Sequence, residues 1–208
     1  MPLLPTTAAT TAETAERDYD ALLIVSFGGP EGRDDVSPFL DNVFKDLRVS
    51  PETKARVAKR YERFGGVSPI NAQTRAFIKA LQHEIDAHGP ALPIYWGNRN
   101  WHPLLKDTVA QMAHAGVKRA LAYVTSMFSS YSGCRKYRED LYEAASEVPN
   151  APRIDKLRVG FNHPGFVAAA ADRVAEALEA LPAAERAAAP ILFTAHSLPE
   201  SMARASSY

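Results

Sequence analysis

Ala21-Leu22-Leu23-Ile24-Val25-Ser26-Phe27 runs straight into Gly28-Gly29-Pro30. The run is short, almost wholly apolar and stopped by a turn signal, as expected of a strand buried on both faces. Four further runs share this character: Leu92–Trp96, Ala120–Thr125, Leu157–Phe161 and Ile191–Ala195. Segments of helical spacing separate them. In Asn71–His88, Phe77, Ile78, Leu81 and Ile85 share one face. Pro51–Phe64 opens with proline behind Ser50, a natural N-cap. Pro103–Ala115 ends at Gly116, a C-cap signal. Lys136–Glu147 and Phe166–Leu181 are also helical, and Pro182 follows the second. The alternation predicts an α/β fold, a parallel sheet flanked by helices on both faces. Residues 1–18, rich in Thr and Ala, read as a disordered tail, and the domain is expected over 19–208.

Composition narrows the function. Lys plus Arg equals Asp plus Glu, 24 each, so no global charge favours nucleic acid. No apolar run approaches the ~20 residues of a membrane span, so no integral membrane segment is expected. The first residues lack the features of a secretory signal. Cys134 is the only cysteine. One thiol cannot build a disulfide framework or a multi-cysteine metal or iron–sulfur site in this chain, and it fits a cytoplasmic location.

In parallel α/β sheets, ligands bind beyond the carboxyl ends of the strands. The tips here carry Gly28-Gly29-Pro30, Asn98-Arg99-Asn100-Trp101-His102-Pro103, Ser126 to Gly133, Asn162-His163-Pro164 and His196-Ser197-Leu198-Pro199. His196 directly follows a strand and is the first candidate for a proton acceptor or metal ligand. His102 and His163 each precede a proline and read better as turn residues bonded to nearby backbone. The Gly28-Gly29 turn lacks a phosphate-loop pattern; a close approach of backbone to a ligand is the better reading. Gly65-Gly66-Val67-Ser68-Pro69 forms a second glycine loop. Ser68 could cap the helix after it or donate to a carboxylate, with Arg60 and Tyr61 one to two turns upstream. Cys134, near a helix start, reads as a small buried residue rather than a reactive thiol.

Four of these stretches together resemble the ferrochelatase family. Leu192-Phe193-Thr194-Ala195-His196-Ser197-Leu198-Pro199 matches its signature strand and loop, and Val25-Ser26-Phe27-Gly28-Gly29-Pro30 its opening strand. Tyr61 to Ile70 matches its Y-x-x-[IF]-G-G-x-S-P-[IL] segment, and Tyr131 to Tyr137 resembles bacterial members that use coproporphyrin III. The resemblance implies the first of two similar Rossmann-like (chelatase-type) halves. It implies insertion of Fe2+, the substrate metal, into a porphyrin, with release of two protons, in heme biosynthesis. His196 then matches the active-site histidine, as base or iron ligand. Phe27 stands where some members carry a tyrosine near the iron. Ser68 and Tyr137 match propionate contacts, and Arg60 and Tyr61 a neighbouring pair on the same rim.

The family's second essential residue, a glutamate, lies in the second half and has no counterpart here. The expected partners are therefore porphyrin and either a missing C-terminal half or a second copy, since an uncovered interdomain face favours self-association. Two alternatives stand beside an active enzyme: a truncated, inactive tetrapyrrole-binding module, and a chelatase for another divalent metal.

Overall fold

The computed structural model describes residues 19–195 and 198–206. Its centre is a four-stranded, wholly parallel sheet: β1 (Ala21–Ser26), β2 (Ile94–Asn98), β3 (Arg119–Val124) and β4 (Arg153–Lys156), in spatial order β2-β1-β3-β4. The predicted fold class is therefore observed. β1 is central, pairing Val25 with Gly97 on one side and Val124 on the other. Its position explains its composition, since Leu23, Ile24 and Val25 lose all contact with solvent.

Helices cover both faces. On one, α4 (Leu105–His114) and α5 (Lys136–Ser146) bury Leu105, Val109, Met112, Tyr137 and Leu141 against Leu23, Val25, Ala120 and Ala122. On the other lies α3 (Ile70–His88). Thr74 hydrogen-bonds Ser26 there, and Phe77 stacks on Tyr123 at 5.6 Å between ring centres. α1 (Val36–Phe44) and α2 (Pro51–Glu62) enclose a second core around Val36, Phe39 and Leu40. The caps are as read: the Ser50 hydroxyl accepts the Thr53 N–H at 3.3 Å, and Gly116 takes a left-handed φ of 79°.

Three elements depart from the sequence reading. The fourth strand is Arg153–Lys156, not Leu157–Phe161. It is an edge strand, where charge is tolerated and pairing rather than apolarity sets the register. Ile154 pairs Ala120, and Asp155 binds the Arg119 guanidinium at 2.5 Å. The fifth predicted strand, Ile191–Ala195, joins no sheet among the described residues, and Leu192 and Phe193 are 85% and 93% exposed. α1 has no predicted counterpart, although Val36, Phe39, Leu40 and Val43 follow helical spacing. Past β4 come α6 (Pro164–Glu179), α7 (Ala183–Arg186) and α8 (Glu200–Arg204), none of which buries a residue.

Candidate active site

The tip of β1 is held by polar contacts rather than open to a ligand. A Cβ on Gly29 would meet the Ser68 Cβ at 2.6 Å, and one on Gly28, whose φ is 78°, the Asn98 Cβ at 2.8 Å. The glycine pair thus lets the turn sit between the start of α3 and the tip of β2. The expected close approach exists, but its partners are Ser68 and Asn98.

Beside this turn, α2 and the loop before α3 border an open cavity of about 710 Å³. Val57, Arg60, Tyr61, Phe64, Val67 and Ser68 line it. Three of the predicted site residues, 60, 61 and 68, therefore converge, with apolar surface between them. The Ser68 N–H bonds the Pro30 carbonyl at 2.8 Å, tying the loop to the β1 turn. Its hydroxyl oxygen accepts the Ile70 N–H at 3.4 Å, which leaves the hydroxyl proton for donation. Burial raises the Tyr61 phenol above its ordinary value, so it stays a proton donor through the neutral range.

Phe27 and Tyr137 lie outside this cavity, joined to it through Phe39, absent from the sequence reading, and Arg99, read there only as part of a strand tip. Phe39, almost fully buried, meets the Tyr61 ring at 5.6 Å and the Phe27 ring at 6.2 Å, both edge-on. Arg99 lies 5.8 Å from the Phe27 ring centre and 4.6 Å from that of Tyr137. Tyr137 is itself buried, which raises its phenol pKa. The site residues thus form a chain: Tyr61, Phe39, Phe27, Arg99, Tyr137.

Asp140 anchors the far end. One oxygen approaches Arg99 Nε at 2.6 Å, an ion pair without the alignment of a hydrogen bond, and the other holds Lys136 Nζ at 2.7 Å. Asp140 pushes the Lys136 ammonium above its usual range. Arg99 had one sequence signal, its place at a strand tip; Phe39 and Asp140 had none.

The other candidates are settled locally. The His163 ring accepts the Gly165 N–H at 3.1 Å and caps α6. His102 is exposed; its carbonyl, not its ring, does the bonding. Cys134 lies in a single π turn, Tyr131–Arg135, with Lys156 Nζ 3.8 Å from its sulfur. His196 lies outside the described residues. Among those described, no three His, Cys, Asp or Glu side chains group as a metal site, and no helix is long and apolar enough to cross a membrane.

A wholly parallel sheet with helices on both faces, and a cavity beside its strand tips, is an α/β domain of the Rossmann-like class. The Ferrochelatase family model matches residues 19–208, and the chain belongs to that family. It is 56% identical over 186 residues to a ferrochelatase of Rhodopirellula baltica, covering 89% of this chain and 53% of that protein. It is 55% identical over 199 residues to a coproporphyrin III ferrochelatase of Frankia alni, covering 94% and 50%. A coproporphyrin III ferrochelatase of Streptomyces coelicolor is 52% identical over 189 residues, covering 89% and 50%. The chain spans about half the length of the curated relatives it matches.

Proposed function

We propose that this chain supplies one porphyrin-binding wall of a cytoplasmic ferrochelatase that inserts Fe2+ into coproporphyrin III, in heme biosynthesis. The observation that carries the reading is the cavity that gathers Arg60, Tyr61 and Ser68 around apolar walls. A porphyrin is flat and apolar on its faces and anionic at its propionate edge. Phe64 and Val67 suit the faces; the Arg60 cation and the protonated hydroxyls of Tyr61 and Ser68 suit the carboxylates. Phe27 packs on the ring and cannot ligate iron. Tyr137 acts through Arg99, which it supports from below.

Insertion requires a free-base porphyrin to give up two pyrrole protons as Fe2+, the substrate metal, enters. His196 accepts one of these protons, the other passing to solvent water, or meets the incoming iron; a neutral imidazole suits either role. Contacts at the ring edge supply the binding energy that bends the macrocycle and turns its nitrogen lone pairs toward the metal. No iron–sulfur cluster is expected within this chain. The cleft needs a second wall, and the exposed Leu192 and Phe193 support one that packs on this chain.

A binding module without turnover is the second reading. Anaerobic Fe2+ insertion, followed as loss of coproporphyrin III fluorescence, tests the proposal. It is run with this chain alone and fused to the C-terminal half of the Rhodopirellula baltica relative. Turnover that His196→Ala abolishes supports the enzyme. Binding without turnover in both forms supports the module.

A further inference from the structure

Two buried asparagines link the three segments that carry the candidate site. Asn71, in the first turn of α3, and Asn98, at the end of β2, are both fully buried. Asn71 Nδ2 donates to the Gly29 carbonyl and to the His102 carbonyl, each at 3.2 Å. Asn98 Nδ2 donates to the same His102 carbonyl at 3.0 Å and to Asn71 Oδ1 at 3.3 Å. Trp96 Nε1 donates to Asn98 Oδ1 at 2.9 Å. Both donors of each amide are used, both side-chain oxygens accept, and the His102 carbonyl accepts twice.

Fully satisfied buried amides are demanding of geometry, because a displaced partner leaves a dry polar group unpaired. Here the partners belong to separate segments. Gly29 lies two residues from Phe27, Asn71 three residues from Ser68, and Asn98 beside Arg99. We infer that Asn71 and Asn98 are positioning residues that hold Phe27, Ser68 and Arg99 in one register toward the porphyrin. The ligand in this inference rests on the proposed function; the coupling of the three segments does not.

The test measures both in the whole chain. Asn71→Leu keeps the side-chain size and removes both donors; Asn71→Ser is the milder companion should the first fail to fold. Hydrogen exchange follows three backbone amides that the pair should govern: Ser68 bonded to Pro30, Arg99 to Ser26 and Asn100 to Phe27. The expectation is that all three exchange about tenfold faster or more, while Leu23 and Ala122 in the sheet keep their protection. Coproporphyrin III affinity should fall about tenfold in parallel. Wild-type exchange at Ser68, Arg99 and Asn100 in a folded variant overturns the inference, as does faster exchange confined to Ser68. If the three amides respond while the wild-type chain binds no coproporphyrin III, the positioning role stands and the porphyrin reading falls.

Discussion

The guanidinium of Arg99 lies 4.6 Å from the centre of the buried Tyr137 ring, with Asp140 2.6 Å from its Nε. A strand-tip cation is thereby fixed from below by an aromatic face and from the side by a carboxylate. Phe27 lies 5.8 Å from the same guanidinium, so this contact joins the two ends of the candidate site.

Asp140 neutralises both Arg99 and Lys136, and all three side chains are at least three-quarters buried. Asp140→Ala leaves two cations facing each other and should destabilise the fold by about 3 kcal/mol, the lower end of the range for a broken buried pair. Asp140→Ala/Arg99→Leu should recover part of that loss. Urea unfolding of the wild type, both single variants and the double measures it, and an additive double variant would contradict the coupling.

Phe39 touches Phe27, Tyr61 and Trp101 and is 1% exposed. Phe39→Ala should cost about 3–5 kcal/mol. Phe39→Leu, which refills most of the space, should cost less than half as much and still loosen the Phe27–Tyr61 link. Thermal unfolding gives the first figure and coproporphyrin III affinity reads the second.

Gly29→Ala drives a methyl group to 2.6 Å from Ser68 Cβ and 2.8 Å from Ile70 Cγ2. The neighbours are a helix start and a hydrogen-bonded turn, which yield poorly. A loss of about 1–3 kcal/mol is expected, against little change for Gly32→Ala, which meets open space. Equal stability of the two variants would show that the turn is looser than its packing implies.

Burial raises the phenol pKa of Tyr61, Tyr123 and Tyr137 above the ordinary 10.0. The folded chain therefore keeps phenolic protons that the unfolded chain releases above about pH 10. Their contribution to stability is complete below that value and is lost as pH rises through the folded pKa values. Denaturant midpoints should decline above about pH 10, and Tyr137→Phe should make the decline shallower. A Tyr137→Phe profile parallel to the wild type would argue against this linkage.

The sheet was legible where burial wrote it. β1, buried almost throughout, and the largely apolar β2 and β3 beside it lie within about two residues of where the sequence places them. β4 was misplaced because Arg153-Ile154-Asp155-Lys156 is an edge, where charge hides the strand. Ile191–Ala195 has strand composition, but composition cannot provide a neighbour for its backbone. Arg60, Tyr61 and Ser68 were legible because the last turn of α2 and one loop bring them together within nine residues. Phe39, Arg99 and Asp140 come from three distant segments and are linked only through tertiary contacts, Phe39 to Arg99 by way of Phe27. The Asn71–Asn98 pair was invisible for the same reason.

The claim most exposed to experiment is that the cavity of Arg60, Tyr61 and Ser68 holds a porphyrin. Coproporphyrin III is titrated into the wild-type chain and into Arg60→Ala, with dissociation constants taken from the shift of its main absorption band at two salt concentrations. The prediction is one-to-one binding that weakens about tenfold in Arg60→Ala, the loss of one charge-assisted contact, with a smaller salt dependence in the variant. Equal affinity and equal salt dependence in the two proteins, or no binding by the wild-type chain, would contradict it.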